Sequence, residues 1–264
     1  MVDDLMIDET GPIAIFSFNR PSARNALTLE MLTALEAGLR RCASRDDMRA
    51  VVLRGAGEQA FSAGYNVDQL SDAEMSLEDA RLIHEPIRAV ADAIVACPHP
   101  VIAAARKFIF GAALDIFCHC DLRVCSQGTT FCMPPNRFGF LYHSAGIHRL
   151  ASIVGVSRAT QMLLLGSPVP TESAAAWGLT HCVYADNEFE SELDALCEVV
   201  ARNAPLSMRG TKRVLNEHAE QAGARDQAAL DKMYAEIVFC LNSADVREGR
   251  AAFAEKRAPR FQGK

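Results

Sequence analysis

The stretch that decides the fold is "CPHPVIAAARKFIFGAALDIFCHCD", residues 97–121. Residues 100–111 form a short, continuous apolar run that ends at a glycine, and this pattern predicts one buried strand. The small and apolar residues that follow predict a helix packed closely on its neighbours. A strand that passes through glycine into a helix leaves backbone N–H groups unpaired at the helix start, where the helix dipole adds positive potential.

A second junction of this kind is "AFSAGYNVDQL", residues 60–70. Two such junctions brought together would form an oxyanion hole, which stabilises the negative charge that develops on a carbonyl oxygen during a reaction. On local pattern alone, ordinary turns are the favoured interpretation. Neither junction contains GxGxxG or GxxxxGK[ST], so neither matches a dinucleotide or P-loop motif.

The remaining pattern gives the fold class. Residues 11–20 and 49–57 predict strands, and a helix is predicted over residues 29–43, with Thr28 in front of it and Glu30 in its first turn. From Ser144 onward nearly every segment has helical spacing. The sequence therefore predicts an α/β protein with a helical C-terminal part.

Composition narrows the class of protein. The chain has 264 residues, half of them hydrophobic, and a formal net charge of −6, so it can bury a large core but offers little positive potential to a nucleic acid. Its nine cysteines are odd in number and lie in apolar stretches, which indicates reduced thiols. Cys118 and Cys120 flank His119, but no second pair stands at ligand spacing, so no metal is expected. The acidic first residues and the lack of a long apolar run predict a cytoplasmic protein without a membrane partner.

Six motifs carry a resemblance to a known family. The chain contains, in this order, "RPSARNALT", "AFSAGYNV", "CPHPVIAAARKFIFGAALDI", "CDLRV", "GLTHCVY" and "EGRAAFAEKRAPRF". Their order and spacing resemble the crotonase superfamily, also called the enoyl-CoA hydratase/isomerase family, from about Ile13 to Phe261. The resemblance implies a crotonase-like ββα spiral core with an acyl-CoA site over residues 1–200, and a helical oligomerisation region over residues 201–264. It also implies a homotrimer or a dimer of trimers, acyl-CoA substrates, and no cofactor beyond the CoA moiety of the substrate.

The resemblance also assigns residues. The two N–H groups that hold the thioester carbonyl fall on Tyr65 and Ala112, although most members have glycine at the second position. An alanine keeps its N–H, so the donor is retained. The positions implied to contact CoA are Arg24, Asn25, Ala26 and Ala63, together with Phe253 and Lys256, which would reach the nucleotide of a neighbouring subunit.

The acid and base positions depart from the family pattern. The hydratases of the family use two glutamates; here Asp115 stands at the first position and Pro135 at the second. Proline cannot transfer a proton, so a two-glutamate hydratase is not expected. Asp115 is one methylene shorter than glutamate. The sequence favours a catalytic role of Asp115 and a structural role in the helical layer equally.

The segment "FLYHSAGIHRL", residues 140–150, most resembles the corresponding loop of the methylmalonyl-CoA decarboxylases of this family. Decarboxylation needs no general base, and Tyr142 would orient the substrate carboxylate or help to protonate the enolate. For His143 a surface position beside a helix N-terminus is favoured, and for Arg137 a solvent-facing one. The alternatives are a hydratase or isomerase led by Asp115, a hydrolase of β-diketones, and an inactive CoA-binding homologue.

Overall fold

The computed structural model describes residues 4–65, 76–221 and 227–262. Its larger sheet has the strand order β1-β2-β3-β4-β6-β9. Only the β1/β2 pair is antiparallel, and the other neighbours run parallel. The strands of this sheet are β1 (Leu5–Asp8), β2 (Ile13–Phe18), β3 (Ala50–Gly55), β4 (Val101–Ala105), β6 (Leu122–Ser126) and β9 (Cys182–Tyr184).

A smaller sheet and a set of helices complete the described part of the chain. The three strands of the smaller sheet are β5 (Phe108–Phe110), β7 (Thr130–Cys132) and β8 (Val169–Pro170). The helices are α1 (Leu29–Ala43), α2 (Leu77–Ala96), α3 (Ala112–His119), α4 (Ser144–Val154), α5 (Val156–Leu165), α6 (Thr171–Ala176), α7 (Phe189–Arg202), α8 (Pro205–Gln221), α9 (Gln227–Leu241) and α10 (Ala244–Ala254). The predicted α/β class with a helical C-terminal part is confirmed.

Helix α1 forms where its sequence predicts it. The Thr28 hydroxyl accepts a hydrogen bond from the Met31 N–H at 3.2 Å and so caps the helix start. Leu32, Leu35 and Leu39 follow at helical spacing, and all three are buried in the core. The predicted boundaries, residues 29–43, agree with the structure.

The strand predicted over residues 100–111 is wrong in one respect, because the structure divides it into β4 and β5, which belong to different sheets. The chain turns at Lys107, whose φ of 57° lies in the left-handed region. Arg106 and Lys107 both reach the carboxylate of Asp186, at 3.6 and 2.8 Å, so charged side chains leave the core at this point. After the division, β5 leads through Gly111 into α3.

The larger sheet is covered on both faces. Alternate residues of β3 and β4 belong to two separate apolar clusters. The smaller of the two also contains Phe189 and Leu193 of α7. This alternation is expected of strands buried on both sides. The larger cluster contains the buried face of α1 and most of α3, including its first residue, Ala112.

Helix α8 is joined to the core by a buried lysine. The Lys212 ammonium donates to the carbonyl oxygens of Ile94 and His99, at 2.9 and 3.0 Å, and to the Asp121 carboxylate at 2.6 Å. A buried ammonium requires this degree of pairing. Lys212 therefore fixes the position of α8 against the end of α2. A helix long and apolar enough to span a bilayer does not occur in the described ranges.

Candidate active site

The two glycine junctions lie side by side. Ser62 and Ile109 form a parallel β-bridge, and the Phe110 N–H donates to the Ser62 carbonyl at 3.1 Å. A Cβ added at Gly64, the residue before Tyr65, would lie 3.5 Å from the Ala112 backbone nitrogen, so the two junctions meet at this point. Gly64 has a φ of +92°, and a Cβ at this position would lie 2.6 Å from the Phe110 carbonyl oxygen. Only glycine permits this close approach.

Two backbone N–H groups are available at this place. Ala112 is the first residue of α3, so its N–H has no partner within the helix. Across the described residues, neither the Tyr65 nor the Ala112 N–H donates to a backbone carbonyl. The dipole of α3 adds positive potential at its N-terminus. The pair can therefore hold an oxygen on which negative charge develops, as the sequence predicts for an oxyanion hole.

The residues assigned to CoA in the first half of the chain adjoin this pair. The Ala63 N–H donates to the Arg24 carbonyl at 2.9 Å, and the Leu27 N–H donates to the Gly64 carbonyl at 2.8 Å. Ala26 is half-buried between them, while Arg24 and Ala63 are exposed. These predicted positions therefore form one continuous edge beside Tyr65.

Within this edge, Asn25 has a structural role. Its φ is +56°, and its amide nitrogen donates to the carbonyls of Ala56 and Ala60 at 3.0 and 2.8 Å, while its Oδ1 accepts from the Arg20 N–H. The side chain is buried and its polar atoms are paired with the protein. Asn25 therefore shapes the turn that presents Arg24, whose guanidinium lies 5.5 Å from the centre of the Phe108 ring.

The assigned C-terminal residues lie on or directly after α10. Phe253 is 62% exposed and packs on Phe138, with 5.2 Å between ring centres. Lys256 is also exposed, with a φ of +54°. Phe253 thus lies against the segment that follows Pro135. A contact with the nucleotide of a neighbouring subunit stays a prediction.

Asp115 lies one helical turn after Ala112, and its side chain is fully buried. Its Oδ2 is 3.1 Å from Nε2 of His143. The other ring nitrogen of His143, Nδ1, accepts the Gly146 N–H at 3.2 Å, so Nε2 is the ring nitrogen that donates to Asp115. The surface position expected of His143 is wrong, whereas its place at the N-terminus of a helix is confirmed.

A second histidine faces the same carboxylate. Nδ1 of His119 lies 2.9 Å from the backbone carbonyl of Asp115 and 3.4 Å from its Oδ1. Burial by itself raises the pKa of Asp115, but His119, His143 and the neighbouring hydroxyl of Tyr142 reverse this effect and hold the pKa below its usual value. Asp115 is therefore an ionised carboxylate enclosed by the protein.

Tyr142 is buried next to Asp115. Burial, followed by the negative charge of Asp115, raises the pKa of Tyr142 well above its usual value, so the phenol stays protonated. The phenol oxygen lies near the carboxylate but outside hydrogen-bond geometry, and it has no other partner among the described residues. A Cβ added at Gly146 would contact Cε1 of Tyr142 at 2.5 Å and Oδ1 of Asp115 at 2.7 Å. The close packing of these two side chains thus depends on Gly146.

The sequence analysis missed His84, which belongs to this group. His84 lies on α2, is 8% exposed, and its ring centre lies 6.4 Å from that of Tyr142 and 5.8 Å from that of His143. Burial, with a smaller effect of His143, lowers its pKa to about 3, so His84 is neutral at pH 7. A single histidine in an amphipathic helix gives no signal of this role in the sequence.

Comparison with known proteins places the chain in a family. The family model described as enoyl-CoA hydratase/isomerase matches residues 8–264. The chain belongs to the enoyl-CoA hydratase/isomerase family. Among curated proteins, the carnitinyl-CoA dehydratase of Salmonella typhi is 27% identical over 268 residues, which cover 100% of each chain. The family acts on acyl-CoA, and the role of Tyr65 and Ala112 in holding the thioester stays a prediction.

Solved structures from the enoyl-CoA hydratase/isomerase family agree with this placement. An enoyl-CoA hydratase/isomerase from Pseudoalteromonas atlantica has a TM-score of 0.84 at 28% identity, and the match covers 98% of this chain and 100% of that one. Methylmalonyl-CoA decarboxylase in complex with 2-nitronate-propionyl-CoA has a TM-score of 0.88 at 25% identity, with 98% of each chain covered. Hydratases and a decarboxylase thus share the fold of this chain.

Pro135 stands where the resemblance implies the second glutamate of the hydratases. It begins a short 3-10 helix, Pro135–Phe138, that packs against α10 and α5, and Arg137 on this helix is exposed. Gly139 ends the helix with a φ of +73°, and a Cβ there would lie 2.7 Å from the Val246 backbone nitrogen. The segment in which hydratases carry their second glutamate is therefore held firmly but presents no carboxylate at Pro135.

The cysteine and histidine run after Asp115 is part of the core. Cys118 and Cys120 are both buried, and burial raises the pKa of Cys118 to about 12. Both thiols therefore stay protonated at neutral pH and act as small apolar side chains. Among the described residues, no three His, Cys, Asp or Glu side chains are grouped so as to hold a metal ion.

Acidification is expected to destabilise the protein through His84. Its pKa is about 3 in the folded chain, against about 6.5 when unfolded, so the unfolded chain binds the additional proton and stability falls as the pH drops below 6.5. Between pH 7 and pH 5 this loss amounts to about 2 kcal/mol of unfolding free energy. Urea unfolding at both pH values should show the loss in the wild type, and His84→Leu should be less sensitive to pH by this amount. Equal sensitivity in both proteins would contradict the assignment.

Proposed function

We propose that this family member decarboxylates a short malonyl-type CoA ester through an enolate held by the N–H groups of Tyr65 and Ala112. The observation that carries the proposal is the state of Asp115. Its carboxylate is buried and bound to His143, and Pro135 occupies the second position at which hydratases have a glutamate. Neither position supplies a carboxylate free to activate water or to remove a proton. A decarboxylation requires neither step.

The reaction balances with the groups described. The bond between the substrate α-carbon and its carboxylate breaks, and its electron pair forms the enolate of the thioester while CO2 leaves. The enolate oxygen accepts hydrogen bonds from the Tyr65 and Ala112 N–H groups, which are fixed before the reaction and so stabilise the charge without reorganisation. A proton supplied by the solvent then adds to the α-carbon and gives the saturated acyl-CoA.

Tyr142 supports this assignment by its protonation state. Its hydroxyl stays protonated and has no other partner in the described part of the chain, so it can donate a hydrogen bond to the substrate carboxylate. The similarity to methylmalonyl-CoA decarboxylase, with a TM-score of 0.88, agrees with such a reaction. A second structure of that enzyme, complexed with 2S-carboxypropyl CoA, has the same TM-score and covers 100% of each chain.

A second candidate is an enoyl-CoA hydratase or isomerase whose acid and base set is led by Asp115. It is favoured by the names of relatives such as the short-chain-enoyl-CoA hydratase of Clostridium acetobutylicum. For hydration or isomerisation, the Asp115 carboxylate must break its contact with His143 or exchange a proton through the His143 ring. The burial of Asp115 on all sides counts against this route.

A direct comparison of substrates tests the proposal. Purified protein is supplied with methylmalonyl-CoA, ethylmalonyl-CoA and crotonyl-CoA in separate assays, with CO2 release and loss of the enoyl absorbance as readouts. We expect CO2 from at least one malonyl-type ester and little hydration of crotonyl-CoA. Efficient hydration without CO2 release would support the second candidate, and binding without any turnover would indicate an inactive CoA-binding homologue.

The Asp115→Asn variant distinguishes decarboxylation from a hydratase or isomerase reaction led by Asp115. Asparagine keeps the size of the side chain and an oxygen that accepts the His143 Nε2–H, but it cannot act as a base. For decarboxylation we expect kcat to fall by no more than about tenfold, whereas loss of a general base lowers a rate by about 10²–10⁴-fold. A loss in the larger range, with the fold intact by circular dichroism, would contradict the decarboxylase mechanism.

A further inference from the structure

Three buried polar atoms near the oxyanion hole lack a hydrogen-bond partner among the described residues. They are Nδ1 of His84, the phenol oxygen of Tyr142 and Oδ1 of Asp115. Their residues are 8%, 8% and 1% exposed. More than nine in ten buried polar groups in proteins are hydrogen-bonded, so three exceptions within one group of side chains require an explanation.

The three atoms come from distant parts of the sequence but lie together. The His84 ring packs edge-on against Tyr142, with 6.4 Å between ring centres, and Tyr142 packs on His143 at 4.5 Å. Asp115 adjoins Tyr142, since a Cβ at Gly146 would touch both. Asp115 also lies three residues after Ala112 on the same helix, which places it within about 6 Å of the N–H that holds the thioester oxygen.

Unpaired polar groups in a protein interior are costly, at about 1–3 kcal/mol each. Close packing of apolar side chains could have filled this place at no such cost, because isosteric apolar replacements are usually tolerated. A ligand that supplies hydrogen-bonding atoms would satisfy the group when it binds. The acyl portion of the substrate is the part that extends from the oxyanion hole.

We propose that His84 and Tyr142, beside the buried Asp115, form a subsite for an oxygen-bearing substituent on the acyl group, with His84 as its specificity-determining residue. The subsite rests on the proposed function, because it places the carboxylate of a malonyl-type ester there. Tyr142 provides a hydroxyl donor, and neutral His84 provides a ring nitrogen that donates or accepts according to its tautomer.

The subsite has the electrostatic character that favours loss of CO2. Asp115 is ionised, and the side chains that contact it within the described residues are His119, His143 and Tyr142. A substrate carboxylate bound here accepts hydrogen bonds but is not neutralised by a cation. Departure of CO2 moves its negative charge to the enolate oxygen at the N-terminus of α3, where the helix dipole stabilises it.

Three unreactive thioethers test the subsite by calorimetry. Propyl-CoA, 2-hydroxypropyl-CoA and 2-carboxypropyl-CoA differ only at one substituent, and none has the thioester that decarboxylation or hydration requires. We expect the wild-type protein to bind at least one oxygen-bearing thioether about tenfold more tightly than propyl-CoA, the effect of one good hydrogen bond. The relative affinity of the hydroxyl and carboxyl compounds shows which group the subsite prefers. Equal affinity for all three would overturn the proposal.

Variants of His84 test whether this residue determines the preference for an oxygen-bearing substituent. His84→Leu should lose the preference for the oxygen-bearing thioether and retain or improve its affinity for propyl-CoA. His84→Asn should recover part of the preference, because its amide places a polar atom close to the position of Nδ1. If His84→Leu weakens all three ligands equally, or keeps the wild-type preference, His84 does not determine specificity. Thermal unfolding of each variant establishes that the fold is retained.

The subsite and the proposed reaction can fail separately. Absence of CO2 from every malonyl-type ester, combined with a His84-dependent preference for an oxygen-bearing thioether, would reject decarboxylation and keep the subsite. Release of CO2 by the wild type, combined with no preference among the thioethers, would reject the subsite and keep the reaction.

Discussion

Replacement of Ala112 by proline is expected to lower kcat by about 10²–10³-fold, because it removes one of the two N–H groups that hold the enolate oxygen. Ala112 is the first residue of α3, and proline is well tolerated at this helical position, where its missing N–H is not needed by the helix. The effect should therefore appear in the rate and not in the fold. Stopped assays of CO2 release from methylmalonyl-CoA, together with thermal unfolding, measure the two quantities.

The matched control is Ala112→Gly, which keeps the N–H and restores the residue that most family members have at this position. We expect its kcat to remain within a few-fold of the wild type. Because Ala112 is only 4% exposed, the ring of proline could disturb the packing, and the circular dichroism spectrum of Ala112→Pro must match that of the wild type. A folded Ala112→Pro variant with unchanged kcat would show that this N–H does not stabilise the reaction.

The elements that the sequence predicts well are those specified by local pattern. Helix α1 is marked by its threonine cap and by leucines at helical spacing, and both signals lie within the helix itself. The division of residues 100–111 could not be predicted in this way. Which sheet each half joins depends on partners far along the chain, and the only local sign is the charged pair Arg106 and Lys107 inside an apolar run.

The candidate site shows the same limit. The two glycine junctions are visible in the sequence because glycine and the small residues after it are local signals. The surroundings of Asp115 are not visible, because His84, His119 and His143 come from three different helical segments and meet only in the folded chain. Sequence reasoning left open whether Asp115 is catalytic or structural, and the choice depends on those three contacts.

The second large effect is expected for Gly146→Ala. A Cβ at this position would lie 2.5 Å from Cε1 of Tyr142 and 2.7 Å from Oδ1 of Asp115, whereas non-bonded carbon atoms normally stay about 3.5–4.0 Å apart. Tyr142 and α4 must therefore separate by about 1 Å. Misplacement by this distance costs about 10²-fold in rate when a reaction depends on positioning. We expect a corresponding loss of kcat for methylmalonyl-CoA.

Gly210→Ala is the control, because it makes the same substitution at a position where the added Cβ has open space around it. Gly210 lies in α8, and no heavy atom is found within 4 Å of an added Cβ. Alanine is a better helix former than glycine by about 1 kcal/mol, so this variant should be equally or more stable and fully active. The two variants share the gain in helix propensity, and only Gly146→Ala presses on Tyr142. The affinity for free CoA should be unchanged in both, because the atoms nearest to an added Cβ at Gly146 belong to Tyr142 and Asp115 and not to a residue assigned to CoA. If Gly146→Ala retains the wild-type kcat, the position of Tyr142 does not matter to the reaction, and its role in holding the substrate carboxylate must be abandoned.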